Sequence, residues 1–148
     1  MFFERKKYLK ELIAGRGNGL VKIITGVRRC GKSFLLFNIW HNWLLEHGVT
    51  DNHIIEIQLD DFRNRRLRKP DALLDYIDSK VIEDGNPHYI VLDEVQMVED
   101  FVEVILSLTH MRNVDVYVSG SNSRFLSSDV VTEFRGRGDE IFRSRFII

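Results

Sequence analysis

Residues 26–33 constrain this chain more than any other stretch. Before them, residues 20–25 read LVKIIT, a short β-branched apolar run, and an apolar helical run begins at Phe34. Between the two lies GVRRCGKS, which fills the spacing G-x-x-x-x-G-K-[ST]. Strand, glycine loop and helix in that order form the context in which this spacing means phosphate binding. The physical reason is donor density. Gly26 and Gly31 let the backbone curl so that successive N–H groups point inward, and the helix behind adds its positive end. Lys32 then reaches the β and γ phosphates of a nucleotide, and the Ser33 hydroxyl takes a place in the shell of Mg²⁺. Val27, Arg28, Arg29 and Cys30 fill the variable positions, where backbone does the cradling, and Phe34 completes the contacting set. The plainer reading is a glycine-rich turn that happens to carry Lys-Ser; the flanking strand and helix argue against it.

With 148 residues, 44% hydrophobic and 29% charged, the chain is expected to form one soluble domain over 1–148. A net charge of −1 gives no global field toward nucleic acid or an anionic membrane, so such contacts need a local patch. One cysteine rules out an intramolecular disulfide. The opening MFFERKKYLKELI has no long apolar core and does not read as a secretory signal, which leaves the cytoplasm as the expected compartment. The most apolar window, 34–45, is interrupted by Asn38, His41 and Asn42. It falls short of the roughly 20 residues a spanning helix needs and reads as a buried helix, with no membrane contact expected.

In chain order, 4–13 has Tyr8, Leu9, Leu12 and Ile13 at helical spacing, and GRGNG ends that helix. It packs against the sheet edge or lies near the nucleotide base. Cys30 sits near a positive helix end and Lys32, surroundings that lower a thiol pKa, although a small inert loop residue fits equally. Residues 53–59, HIIEIQL, alternate as a second strand, and Asp60-Asp61 leave it at the carboxyl end, where ligands of open α/β sheets gather. Then comes RNRRLRK, with Arg63, Arg65, Arg66, Arg68 and Lys69. Such a run is ordinarily a solvated face; here it is also a candidate patch for nucleic acid or an acidic protein. Pro70-Asp71 opens a helix over 72–82.

Residues 88–92, HYIVL, form a third strand that delivers Asp93-Glu94. An apolar strand ending in paired acids downstream of the P-loop is the Walker B arrangement. Asp93 is placed for Mg²⁺, and Glu94 can polarise water as general base. Gln96 either orients the same water or bonds the loop. Residues 99–110 read as a core-packing helix and 113–119 as a fourth strand, whose end carries Ser119, Ser121 and Asn122, one of which should touch the γ-phosphate or its water. A short helix over 126–134, the turn RGRG at 135–138 and a fifth strand over 140–142 complete the reading.

The series TGVRRCGKS, IVLDEVQ, VSGSNSRFLSS and FRGRG resembles the AAA-type ATPase domain of a bacterial and archaeal ATP-binding family within the P-loop NTPases. The resemblance covers nearly the whole chain. It implies an α/β fold, three layers with a parallel five-stranded sheet in the order 5-1-4-3-2, with Asp93 on Mg²⁺, Glu94 as base, and Ser119, Ser121 or Asn122 as sensor. It further implies that Arg135 or Arg137 serves a neighbouring subunit's nucleotide in a homo-oligomer; a structural ion pair fits either residue as well. Members of the family usually continue into a lid and often a nuclease-like domain, so the chain is expected to be an ATPase module cut from a longer protein.

Two other classes stay open. A small-molecule phosphotransferase fits the length and the P-loop, but Glu94 supplies a water-activating base that a kinase would not want. A nucleotide-dependent interaction module without turnover is the other. No N-K-x-D motif selects guanine, so ATP is the expected nucleotide.

Overall fold

The computed structural model describes residues 2–26, 31–121 and 141–145. Its centre is a five-stranded parallel sheet built from β1 (Val21–Thr25), β2 (Ile54–Gln58), β3 (His88–Asp93), β4 (Val114–Gly120) and β5 (Ile141–Arg145), in the order β2-β3-β4-β1-β5. This is the expected 5-1-4-3-2 order read from the other edge. Register pairs Lys22 with Tyr117, Thr25 with Gly120, Leu92 with Val118 and Gln58 with Asp93. The carboxyl ends of β1, β3 and β4 therefore meet at one edge of the sheet.

Helices cover both faces, which is why the inner strands are apolar on both sides rather than alternating with polar residues. On one face Val21, Ile23, Ile90, Leu92, Val116 and Val118 pack with α4 (Pro70–Lys80) and α5 (Phe101–Thr109), through Leu73, Ile77, Val104, Ile105 and Leu108. On the other face Ile24, Tyr89, Val91 and Tyr117 pack with Tyr8 and Leu12 of α1 (Phe2–Gly15) and with Leu35, Leu36, Trp40 and Leu44 of the helix behind the glycine loop. Of the two placements open to the first helix, this is the packing one. Among the described residues no helix is long and apolar enough to cross a membrane.

Several elements differ from expectation. The helix behind the loop starts at Lys32 rather than Phe34 and is not uniform: α2 (Lys32–Phe34) runs into a π-helical stretch, Leu35–Trp40, and then into α3 (His41–Glu46). The basic run is ordered as a 3-10 helix, Phe62–Arg68, and it is not wholly solvated. The Asp61 carboxylate accepts from the Arg63 N–H at 2.9 Å, Leu67 is buried, Arg68 Nε donates to the Leu59 carbonyl at 2.9 Å, and Lys69 pairs with Glu99 at 2.6 Å. Arg65 also donates to the Phe62 carbonyl at 3.1 Å, so three of its five cations are engaged. Arg63, Arg65 and Arg66 remain exposed, with the Arg65 guanidinium 4.2 Å above the ring of exposed Phe62. The helix over 126–134 and the turn at 135–138 lie outside the described residues.

The face carrying α1 also buries a polar network. Lys22 has no exposed surface, and its ammonium meets Asp115 at 2.5 Å. The second Asp115 oxygen accepts from the Tyr117 hydroxyl at 2.7 Å and the Gly17 N–H at 2.9 Å. Burial pushes the Lys22 ammonium below its ordinary value, against the opposing pull of Asp115.

Candidate functional site

The carboxyl edge of the sheet gathers four segments. At the mouth of β1, Gly31 adopts φ 97°, a left-handed conformation that disfavours any residue with a Cβ, and the helix begins at Lys32 immediately after it. Lys32 is 3% exposed; its ammonium donates to the Gly26 carbonyl at 3.1 Å and lies 3.7 Å from Glu94 Oε1. The Ser33 hydroxyl donates to Asp93 Oδ2 at 2.6 Å. A residue of the glycine loop and the last residue of β3 are thereby in direct contact.

Asp93 is buried and held by two hydroxyls, Ser33 on one oxygen and Ser119 on the other. Burial pushes its carboxyl above the usual carboxylate range; the two hydroxyls pull it back, and the charges of Glu94 and Asp60 add to the rise. The Ser119 hydroxyl also accepts from the Glu94 N–H at 3.1 Å, so one side chain of β4 fixes both acids. A carboxylate and a hydroxyl this close are hard oxygen donors, the set that suits Mg²⁺. The chemistry of Ser33 and Asp93 therefore fits that ion.

Glu94 sits at φ 55°, ψ 50°. For a residue other than glycine, asparagine or aspartate this left-handed conformation costs about 1–2 kcal/mol, and strain of this kind collects at functional sites. Its carboxylate is 6% exposed as a residue and held from three sides: Ser121 Oγ donates to Oε2 at 2.7 Å, Gln96 Nε2 donates to the same oxygen, and Lys32 faces Oε1. Gln96 bonds the Glu94 carboxylate itself, and its own Oε1 is buried with no partner among the described residues.

Among the site residues named from sequence, Gly26, Gly31, Lys32, Ser33, Asp93, Glu94, Ser119 and Ser121 thus come to one edge, with Phe34 half-exposed just behind. Val27, Arg28, Arg29, Cys30, Asn122, Arg135 and Arg137 lie outside the described residues. Asp60 and Asp61 flank the edge at the end of β2, where Asp61 serves as the cap of the Phe62–Arg68 turn. Sequence reasoning left Ser119, Ser121 and Asn122 as equals; Ser119 touches both acids and Ser121 touches Glu94. It did not foresee the strained Glu94 backbone, for which the only signal was an acid where strand and turn join.

Comparison with known proteins places this geometry. A family model described as an AAA domain matches residues 18–144. An uncharacterized protein of Haemophilus influenzae is 30% identical over 137 residues, covering 93% of this chain and 34% of that protein. The chain thus spans about a third of the length of that relative. Among solved structures, Caenorhabditis elegans PCH-2 superposes with a TM-score of 0.57 at 14% identity, covering 96% of this chain and 39% of the other. The Aeropyrum pernix ORC2 protein, solved in ADPNP-ADP complexes, gives 0.53 at 16% identity, covering 97% and 45%. At these identities the two structures speak to the fold alone.

Proposed function

This chain belongs to the AAA domain family, and on that premise we propose that it binds ATP with Mg²⁺ at the carboxyl edge of the sheet and hydrolyses it. The observation that carries the reading is the 2.6 Å contact between Ser33 and Asp93, which unites the two halves of a metal–phosphate site from segments far apart in sequence. Nucleotide in the Aeropyrum pernix ORC2 structure is consistent with it.

In this reading the loop amides and Lys32 hold the β and γ phosphates, with Lys32 exchanging the long Glu94 contact for phosphate oxygen. Ser33 and Asp93 would hold Mg²⁺, which would offset phosphate charge. Ser119 keeps Asp93 and the Glu94 backbone in register. Ser121 and Gln96 aim the Glu94 carboxylate, which takes a proton from water as the water oxygen bonds the γ phosphorus and the bridge to the β phosphate breaks, releasing ADP and phosphate. Arg135 or Arg137 would supply a cation to a neighbouring copy's nucleotide. In that case turnover per molecule rises with protein concentration, whereas a flat dependence leaves both arginines structural. The chain is proposed as one ATPase module, acting in the cytoplasm, of a longer protein whose other parts use the cycle.

The deciding variant is Glu94→Gln, which keeps shape and removes the proton acceptor. General-base catalysis contributes ~10²–10⁴-fold, so single-turnover hydrolysis should fall by that order while ATP affinity holds or improves. Equal single-turnover rates in the two proteins would exclude Glu94 as base. ATP binding with no measurable hydrolysis by the unsubstituted chain would favour the interaction module.

A further inference from the structure

The opposite edge of the sheet, at the amino ends of β2 and β3, holds a second polar cluster. Register pairs Ile54 with Tyr89, which brings His53, one residue before β2, beside His88, the first residue of β3. The two rings lie 4.4 Å apart between centroids. Both residues are buried, and the exposed residue Asp84 reaches them from the turn that precedes β3. One ligand atom from each of the three lies within 4.8 Å of the others. Along β3 this edge stands about 16 Å from Asp93, five residues at roughly 3.3 Å each, so the cluster is separate from the candidate nucleotide site.

The hydrogen bonds around the cluster fix which nitrogens face inward. Thr50 donates its hydroxyl hydrogen to Asn52 Oδ1 at 2.6 Å, and both oxygens then face His53 Nδ1, at 2.7 and 2.8 Å. Two acceptors at that nitrogen place a hydrogen on it, so Nε2 is the atom that faces Asp84 Oδ2, 2.6 Å away. A ring nitrogen and a carboxylate oxygen at that distance share a cation, either a proton or a metal ion. His88 is set in the same way: Nδ1 donates to the Asn86 carbonyl at 3.1 Å, and Nε2 carries a lone pair that accepts from the Ile82 N–H at 3.0 Å. A metal at Nε2 would displace this Ile82 N–H, whose residue is 42% exposed. The remaining Asp84 oxygen is oriented by the Asn86 N–H at 3.0 Å. In metal sites an outward Nδ1–H held by oxygen is what aims Nε2 at the ion.

We propose that His53, Asp84 and His88 bind a divalent transition-metal ion of the zinc class through the two Nε2 atoms and an Asp84 oxygen, with water in the fourth position. Two imidazoles and a carboxylate suit zinc among the common divalent ions. Metal–nitrogen bonds of about 2.0 Å set tetrahedral ligands about 3.3 Å apart; the 2.6 Å contact of His53 Nε2 with Asp84 Oδ2 would open toward that spacing around an ion, and all three ligand atoms already lie within 4.8 Å. The bound ion would clamp that turn to β2 and β3.

The test uses the 148-residue chain, stripped with a chelator and titrated with zinc against a chromophoric competitor, without nucleotide. One equivalent is expected, retained in Asp93→Asn and Cys30→Ser and at least about tenfold weaker in His53→Gln and Asp84→Asn. Cobalt(II) should give visible bands of four-coordinate geometry in the same variants that hold zinc. Asp84 lies on an exposed turn and its amide analogue still accepts from Asn86, so Asp84→Asn serves even where His53→Gln fails to fold. Zinc binding unchanged in Asp84→Asn, or lost only in Asp93→Asn, would overturn the assignment. So would no binding at micromolar metal, which would leave a proton as the cation between His53 and Asp84.

Discussion

Two lysines of this domain are buried to nearly the same depth, and their surroundings differ. Lys22 meets Asp115 at 2.5 Å and lies 5.3 Å from the Tyr117 ring centroid, and Asp115 is in turn filled by Tyr117 and Gly17. Lys32 is held by a carbonyl at 3.1 Å and a carboxylate at 3.7 Å. The first network is short and closed; these two Lys32 contacts are longer and lie at the edge where the strands end. A phosphate oxygen can outcompete a contact of 3.7 Å, whereas nothing is gained by breaking one of 2.5 Å inside a filled network. If Lys32 serves phosphate as proposed, depth of burial does not separate a structural cation from a functional one, and the length of the contacts is the better guide.

Replacing each lysine tests the contrast. Lys22→Met leaves Asp115 charged and buried without its cation, and stranding one member of a buried pair typically costs about 3–5 kcal/mol. Chemical denaturation should show that loss, and ATP affinity should be unchanged under conditions where the protein remains folded. A loss below about 1 kcal/mol would mean that the pair contributes little beyond what packing supplies. Lys32→Ala should do the reverse. A charge-assisted contact of about 1.5–3 kcal/mol disappears from the nucleotide complex, roughly a 10–100-fold drop in affinity by calorimetry, with stability altered by less than about 1 kcal/mol. Unchanged affinity would refute the glycine-loop reading and with it the contrast.

Ser119→Ala is the smaller perturbation and sharpens the comparison at its border. The change strips one hydroxyl from Asp93 and orphans the Glu94 N–H, a loss of about 1–2 kcal/mol in stability. Because the Ser119 hydroxyl lowers the Asp93 pKa, its removal should raise that carboxyl further, and metal-dependent nucleotide binding should weaken more steeply as pH falls. A stability loss with an unaltered pH profile would confine Ser119 to a packing role.

The parts of this domain that the sequence made easiest to read are those where the proposed chemistry dictates spacing. Gly26, Gly31, Lys32 and Ser33 must stand in fixed order for a backbone loop to enclose phosphate, and Asp93-Glu94 must follow an apolar strand to reach it. The order of the strands came from resemblance, since nothing in LVKIIT or HYIVL says which strand lies beside which. Lys22 and Asp115 were invisible as a pair because each is a single polar letter inside an apolar strand, and only the pairing of β1 with β4 joins them. His53, Asp84 and His88 come from three segments whose meeting depends on the register of β2 on β3. RNRRLRK was read as charge alone, and its interior Leu67 did not disclose that the run would fold back onto Leu59 and Glu99.

The strand order has a consequence for synthesis. β1 precedes the glycine loop and leaves the ribosome before the other four strands of this sheet, yet its sheet neighbours are β4 and β5, the two made last among the five. At about 5–20 residues per second, β1 waits roughly 5–20 s before the residues of β4 exist to pair with it. Contacts so distant along the chain also make folding slow. Throughout that interval β1 lacks its sheet neighbours, and the edge proposed to hold nucleotide is incomplete until Ser119 has arrived to set Asp93. On that reading ATP would meet this domain late, as a ligand that locks a nearly finished sheet rather than one that seeds it.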